Sequence, residues 1–298
     1  MKIIISGSLG NVGKPLTEQL VAAGHEVTVI SHHKERKADI EALGATAAIG
    51  SVGDARFLTS VFTGADAAFA MTPPASGISN IIDNTINVGK AFATAIEQSA
   101  IPRVVMLSSM GADIPDKNGP IRALYNIEKI YSGMENTSFV FLRAGSFYLN
   151  FYMNIPMIKN MGIIGTNLPG NMKFPLAHPE DIATAAAQLL QSKFSGKQVH
   201  YIVSDIRTPD EIAKALGTAI GNTELRWVEF TDEQTLQGMK QAGLPEELAG
   251  LLTEMNAGYR SSRLFKDFET KGSPVNGRVK LEDFAKEFAK RFDKVPVS

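Results

Sequence analysis

Along the first half of the chain, short and almost unbroken apolar runs alternate with stretches whose apolar positions recur at helical spacing. The runs are KIIIS (2–6), EVTVI (26–30), ATAAI (45–49), AAFAM (67–71), RVVML (103–107) and SFVFL (138–142), with HYIVS (200–204) later. Runs of this length, mostly bounded by Gly, Pro, Ser or Thr, predict central strands covered on both faces. Between the first two, NVGKPLTEQLVAAG sets Val12, Leu16, Leu20 and Val21 on one helical face and places Gly24 where a helix ends. Strand and helix repeated in this order predict an α/β fold with a doubly wound parallel sheet and right-handed crossovers. After about residue 150 the rhythm changes. Helical patterns at 181–191, 209–219, 232–241, 245–263 and 281–292 predict a smaller, mostly helical substrate-side lobe. The expected organisation is a dinucleotide-binding domain at 1–150 and a lobe at 151–298, with the strand near 200–204 returning to the sheet.

Composition narrows the function classes. The chain has 298 residues, a formal net charge of -1 and interspersed charges, so it lacks the basic footprint of a nucleic-acid or anionic-membrane binder. It contains no cysteine, which excludes disulfides, zinc-thiolate sites, iron–sulfur clusters and thiol nucleophiles together. The adjacent pair His32 and His33 could begin a metal site, but His25, His178 and His200 show no ligand spacing and there is no Cys, so no metal site is expected. No signal-peptide pattern and no apolar stretch of about 18 residues is present, so the expectation is a soluble, cytoplasmic protein.

Chemistry begins at SGSLGNVG (6–13), where Gly7, Gly10 and Gly13 follow the first strand and lead into a helix. Such a turn lets the backbone reverse tightly, admits a pyrophosphate without a Cβ in the way, and brings the helix close to the strand. The helix then presents its free N–H groups to the phosphates. The spacing is G-x-x-G-x-x-G, and its position in the strand pattern makes it a Rossmann-type dinucleotide turn. The second strand runs into VISHHKERK, with Ser31, His32, His33, Lys34, Arg36 and Lys37 and no carboxylate for a ribose 2′-hydroxyl. That composition favours NADP(H) over NAD(H).

A second cluster follows the fifth strand in VVMLSSMGADIPDKNGPIRALYNIEK (104–129). Ser108 and Ser109 sit at the carboxyl end of a predicted parallel strand, where open α/β sheets place ligands. Tyr125 and Lys129 are four apart and share a helical face. An ammonium beside a phenol stabilises the phenolate, so the phenol can pass a proton to or from a carbonyl oxygen that a serine hydroxyl holds. Ser109, Tyr125 and Lys129 are therefore the candidate catalytic set, and Lys129 can also reach a cofactor ribose. DIPDKNGP (113–120) reads as an exposed connecting turn before the Tyr125 helix. TPDEIA (208–213) and HPEDIA (178–183) read as helix starts, with Thr208 or Asp210 as cap and Asp181 near a first turn.

On the substrate side, FYLNFYMNIPMIKNMGIIG (147–165) reads as a loop-rich, aromatic and thioether stretch suited to a flat apolar acceptor such as a quinone. Phe147, Asn150, Phe151, Met153 and Met157 are the candidate contacts. Packing between lobe and sheet is the competing role for the same residues.

Taken together, GSLGNVG, MTPP (71–74), LSSMGAD (107–113), LRAGSFYLN (142–150), HPEDIA and the run from TPDEIA to LEDFAKEF resemble the short-chain dehydrogenase/reductase superfamily, more narrowly its atypical NmrA-like branch. The resemblance spans essentially the whole chain. It implies that Gly7, Ser8, Leu9, Gly10, Asn11, Val12 and Gly13 surround the pyrophosphate, with Ser31, His32 and Lys37 toward the 2′-phosphate. It further implies that Thr72 and Pro73 border the nicotinamide side, and it extends cofactor contacts to Ser51, Met71, Ser108, Ala144, Gly145, Ser146 and Phe147. Three positions depart from the family pattern: Ser51 stands where an Asp is common, His32 where an Arg is common, and Ser109, Tyr125 and Lys129 are retained where many members lack the set. The implied activity is NADPH-dependent hydride transfer to an apolar acceptor. An NADP(H) redox sensor acting on a protein partner, and a nucleotide-sugar epimerase or dehydratase, are the alternatives.

Overall fold

The computed structural model describes residues 1–73 and 79–296. Pro74, the last residue of the MTPP motif, lies outside them. The first half runs β1 (Lys2–Ile5), α1 (Gly13–Ala22), β2 (Glu26–Ser31), α2 (Lys37–Ala42), β3 (Thr46–Ile49), α3 (Ala55–Phe62), β4 (Ala67–Ala70), α4 (Ile81–Ser99), β5 (Arg103–Ser109), α5 (Ile121–Ser132) and β6 (Ser138–Ala144). The second half runs β7 (Ser146–Phe147), α6 (Ile155–Met161), β8 (Ile163–Thr166), β9 (Phe174–Ala177), α7 (Pro179–Gln191), β10 (Lys197–Ile202), β11 (Asp205–Arg207), α8 (Pro209–Ala219) and β12 (Arg226–Glu229). It ends with α9 (Asp232–Gln241), α10 (Glu246–Arg260), α11 (Lys266–Thr270) and α12 (Leu281–Lys294).

Among the described residues the main sheet has seven strands in the order β10-β6-β5-β4-β1-β2-β3, and every pairing is parallel. The alternation of side chains along each strand builds two separate cores. Ile3, Ile5, Val29 and Val105 pack under α1 and α7, whereas Ile4, Ile30, Val104 and Phe139 pack under α3, α4 and α5. This is the Rossmann-type α/β sandwich that the apolar runs predict. The connections leave in opposite directions from the adjacent strands β1 and β4, so the topological switch point lies between them, beyond their carboxyl ends. There the Met71 N–H donates to Ser6 Oγ at 2.7 Å and joins the two strand ends.

The rest of the chain forms a lobe around Tyr148, Leu216, Tyr259, Phe284 and Phe288. Two differences from the sequence reading have clear causes. Helix α7, which the periodicity assigns to the lobe, lies on the sheet beside α1, because its buried face of Ile182, Ala183, Ala186 and Ala187 is small enough for close approach. The stretch read as loop-rich at 147–165 is instead a 3-10 turn (Tyr148–Asn154) followed by α6 and β8. Aromatic residues at helical spacing bury there, with Tyr148 stacked on Phe284 and Tyr152 on Phe288.

Candidate functional site

The glycine turn joins β1 to α1 at the switch point. Gly7 holds φ at +102°, and a Cβ there would run into the Met71 methyl. A Cβ at Gly13 would run into the carbonyl oxygen of Ser8, so the first turn of α1 lies directly against the loop. Ser8 N–H donates to the Ile30 carbonyl at 3.1 Å and Gly10 N–H to the Gly7 carbonyl at 3.2 Å. The amides of Leu9, Asn11 and Val12 have no intramolecular acceptor among the described residues. Helix α1 has no capping side chain and no acidic residue in its first turn, leaving its positive end to an external anion. These residues fit the pyrophosphate of a dinucleotide. Gly13→Ala must displace the Ser8 carbonyl, and we expect NADPH affinity to fall about 10- to 100-fold, measured by titration calorimetry. An unchanged dissociation constant would show that the turn is not the phosphate site.

The end of β2 carries no carboxylate. Ser31 is buried, bonded to Ser8 Oγ at 2.9 Å, and receives the His33 N–H at 3.2 Å, so it fastens the glycine turn to β2. His32 and His33 are exposed, with ring centroids 3.7 Å apart. His33 pairs with Glu35 at 2.9 Å, Arg36 with Asp39 at 3.6 Å and Lys37 with Glu41 at 3.8 Å. Exposed pairs of this kind hold little energy and can yield to a phosphate. Ser51 is exposed, and its hydroxyl accepts from Gly53 N–H at 3.1 Å.

At the other half of the site, Tyr125 is half-buried on α5, and the exposed Lys129 holds its ammonium 5.6 Å from the Tyr125 ring centre. Ser109 closes β5 and donates to the Met110 carbonyl at 3.1 Å. Ser108, expected among the cofactor contacts, is buried with its hydroxyl committed to Glu128 at 2.6 Å. Glu128 in turn takes a two-pronged grip from Arg143, at 3.1 Å from Nε and 2.7 Å from Nη2. Arg143 also reaches Asp267 at 3.1 Å, Tyr201 at 3.2 Å and Asp113 at 3.4 Å. Burial pushes the Asp113 carboxyl up, against its own backbone hydrogen bond and the Arg143 charge. This network locks the rotation of α5, and with it Tyr125, to β5, β6 and α11.

The substrate-side residues separate. Phe147 and Met157 are half-buried, and Asn150 and Met153 are exposed, with Asn150 donating to Ser146 Oγ at 3.4 Å. Phe151 turns into the lobe core near Phe284 and is not available to a ligand. Gly145, where a Cβ would crowd the Pro175 carbonyl, and Ala144 are buried between β6 and the β9 strand. The 113–120 turn is pinned as well as partly exposed: Asn118 is fully buried and donates to the Gly111 and Ile114 carbonyls at 3.2 and 2.7 Å. Asp181, read as a residue favouring a helix dipole, is a buried latch. It accepts from Ser204 Oγ at 2.6 Å and from the backbone N–H groups of Arg278 and Val279 at 2.9 and 3.1 Å. Among the described residues no His, Cys, Asp and Glu grouping suits a metal ion, and no helix is long and apolar enough to cross a membrane.

The parallel sheet, its switch point and the anion-receptive glycine turn define a Rossmann-type dinucleotide-binding protein. The chain belongs to the NmrA-like family, whose model matches residues 1–285. It is 26% identical over 258 residues to an NAD(P)H azoreductase from Xenophilus azovorans, covering 86% of both chains. Among solved structures it resembles an NADPH-dependent quinone oxidoreductase from Escherichia coli complexed with NADPH, with a TM-score of 0.80, 20% identity and coverage of 96% and 99%. It also resembles a triphenylmethane reductase from Citrobacter complexed with NADP(H), with a TM-score of 0.78, 18% identity and coverage of 96% and 99%.

Proposed function

We propose that this chain is an NAD(P)H-dependent oxidoreductase that prefers NADPH and reduces flat, apolar acceptors of the quinone or dye classes. One observation carries the reading: an anion-receptive glycine turn follows β1 at the switch point of a sheet whose α5 carries a half-buried phenol with a lysine above it. The names of the azoreductase, the quinone oxidoreductase and the triphenylmethane reductase support the same reaction class.

When bound, the dinucleotide supplies a hydride. The chain's own residues do the rest. The glycine turn and the amides of Leu9, Asn11 and Val12 bind the pyrophosphate, and His32 with its cationic neighbours meets the 2′-phosphate. Tyr125 gives its phenolic proton to the acceptor oxygen or nitrogen, and the Lys129 ammonium stabilises the phenolate left behind. Phe147, Met153 and Met157 offer the acceptor an apolar and adaptable wall.

Titration calorimetry with NADPH and NADH, followed by steady-state loss of NADPH absorbance over a panel of quinones, azo dyes and triphenylmethane dyes, tests the reading. We expect NADPH to bind at least about tenfold more tightly than NADH, a difference of about 1.4 kcal/mol, and one acceptor class to be turned over. Equal affinities would remove the role given to the end of β2. Tight binding without turnover of any acceptor would favour a nucleotide-sensing protein.

A further inference from the structure

Helix α10 belongs to the lobe, yet one of its faces is spent on the candidate site. Glu247, Leu251, Glu254 and Gly258 follow the spacing i, i+4, i+7, i+11 and so lie along a single stripe. The Glu247 carboxylate receives the backbone N–H groups of Asn80 and Ile81, both at 2.8 Å, at the start of α4. Glu254 receives the Gly119 N–H at 3.1 Å and meets Arg122 at 3.5 Å, at the start of α5. Neither α4 nor α5 has a side-chain cap of its own, so the lobe supplies carboxylate caps to two helices of the sheet domain. The contact is tight, since a Cβ on Gly119 would collide with the Leu251 carbonyl. At the end of the helix, Tyr259 is buried.

We propose that α10 is the positioning element for proton transfer, with Glu254 fixing the first turn of the Tyr125 helix. The proposal rests on the reading of Tyr125 as proton donor. In it, the substrate lobe does more than wall the pocket, because it sets where the phenol stands. Glu254 acts through the Gly119 backbone, six residues before Tyr125, and through the Arg122 side chain, three before it, and touches no substrate.

The test compares the Glu254→Ala, Glu254→Gln and Tyr125→Phe variants of the full chain, with NADPH and one quinone turned over by the wild type. Amide hydrogen exchange in 117–123 and the NADPH dissociation constant are read beside kcat. We expect Glu254→Ala to exchange at least tenfold faster in 117–123 and to lose about tenfold in kcat, with NADPH affinity within twofold of wild type. Glu254→Gln keeps an oxygen for the Gly119 amide and should recover both to within threefold. Fully active Glu254→Ala beside an impaired Tyr125→Phe overturns this proposal alone, as does a kcat loss in Glu254→Ala that Gln does not rescue. Fully active Tyr125→Phe overturns the reading of Tyr125 and this proposal with it.

Discussion

Tyr125→Phe lowers kcat for quinone reduction by about 10²–10⁴, the range that a positioned general acid contributes. The substitution removes one oxygen from a half-buried ring and leaves the helix, the Lys129 contact and the glycine turn in place. NADPH affinity should therefore stay within about twofold, measured by calorimetry on the same preparation. Acceptors that need no proton separate the roles further. A cationic triphenylmethane dye is neutralised by hydride alone, so its reduction should survive Tyr125→Phe while quinone reduction does not. Full activity of the variant toward quinones would mean that the proton comes from water and that Tyr125 is only part of the α5 surface.

Arg143→Met destabilises the fold by about 3–5 kcal/mol, the cost of leaving buried carboxylates without their cation. Arg143 is 6% exposed and is the cation shared by Glu128, Asp267 and Asp113, and Glu128 is itself 6% exposed. Methionine preserves most of the packing, so the loss measures charge and hydrogen bonding more than volume. In a chain of this size the melting temperature should fall by about 10 °C, with residual activity impaired because α5 loses its rotational lock. A melting temperature within 2 °C of wild type would show that the network is solvated and adds little.

The two lines of evidence differ in what each makes legible. The main-sheet strands, four to seven residues long, announce themselves as apolar runs because both sheet faces are covered, and the switch point follows from strand order. Gly7 and Gly13 are equally readable, since a turn after a first strand has few other uses for glycine. Glu128 and Arg143 were missed, although Arg143 is a lone charge within the apolar strand SFVFLRA and must have a partner. What the chain order hides is the partner, fifteen residues earlier on a helix. The roles of Asp181, Glu247 and Glu254 were hidden for the same reason, because each acts on backbone or hydroxyl groups distant in sequence. Phe151 failed in the opposite sense: an aromatic residue at helical spacing satisfies a core and a ligand pocket equally, and the lobe claimed it.

Single-turnover mixing of the preformed protein–NADPH complex with excess quinone tests the central claim most directly. The absorbance of the reduced nicotinamide should disappear with full amplitude, and more slowly when the transferred hydrogen is deuterium, showing hydride transfer from the nucleotide held at the glycine turn to the acceptor. Reduced absorbance that persists in the presence of bound NADPH and saturating quinone, dye and carbonyl acceptors would contradict it, and the chain would then bind the dinucleotide without using it.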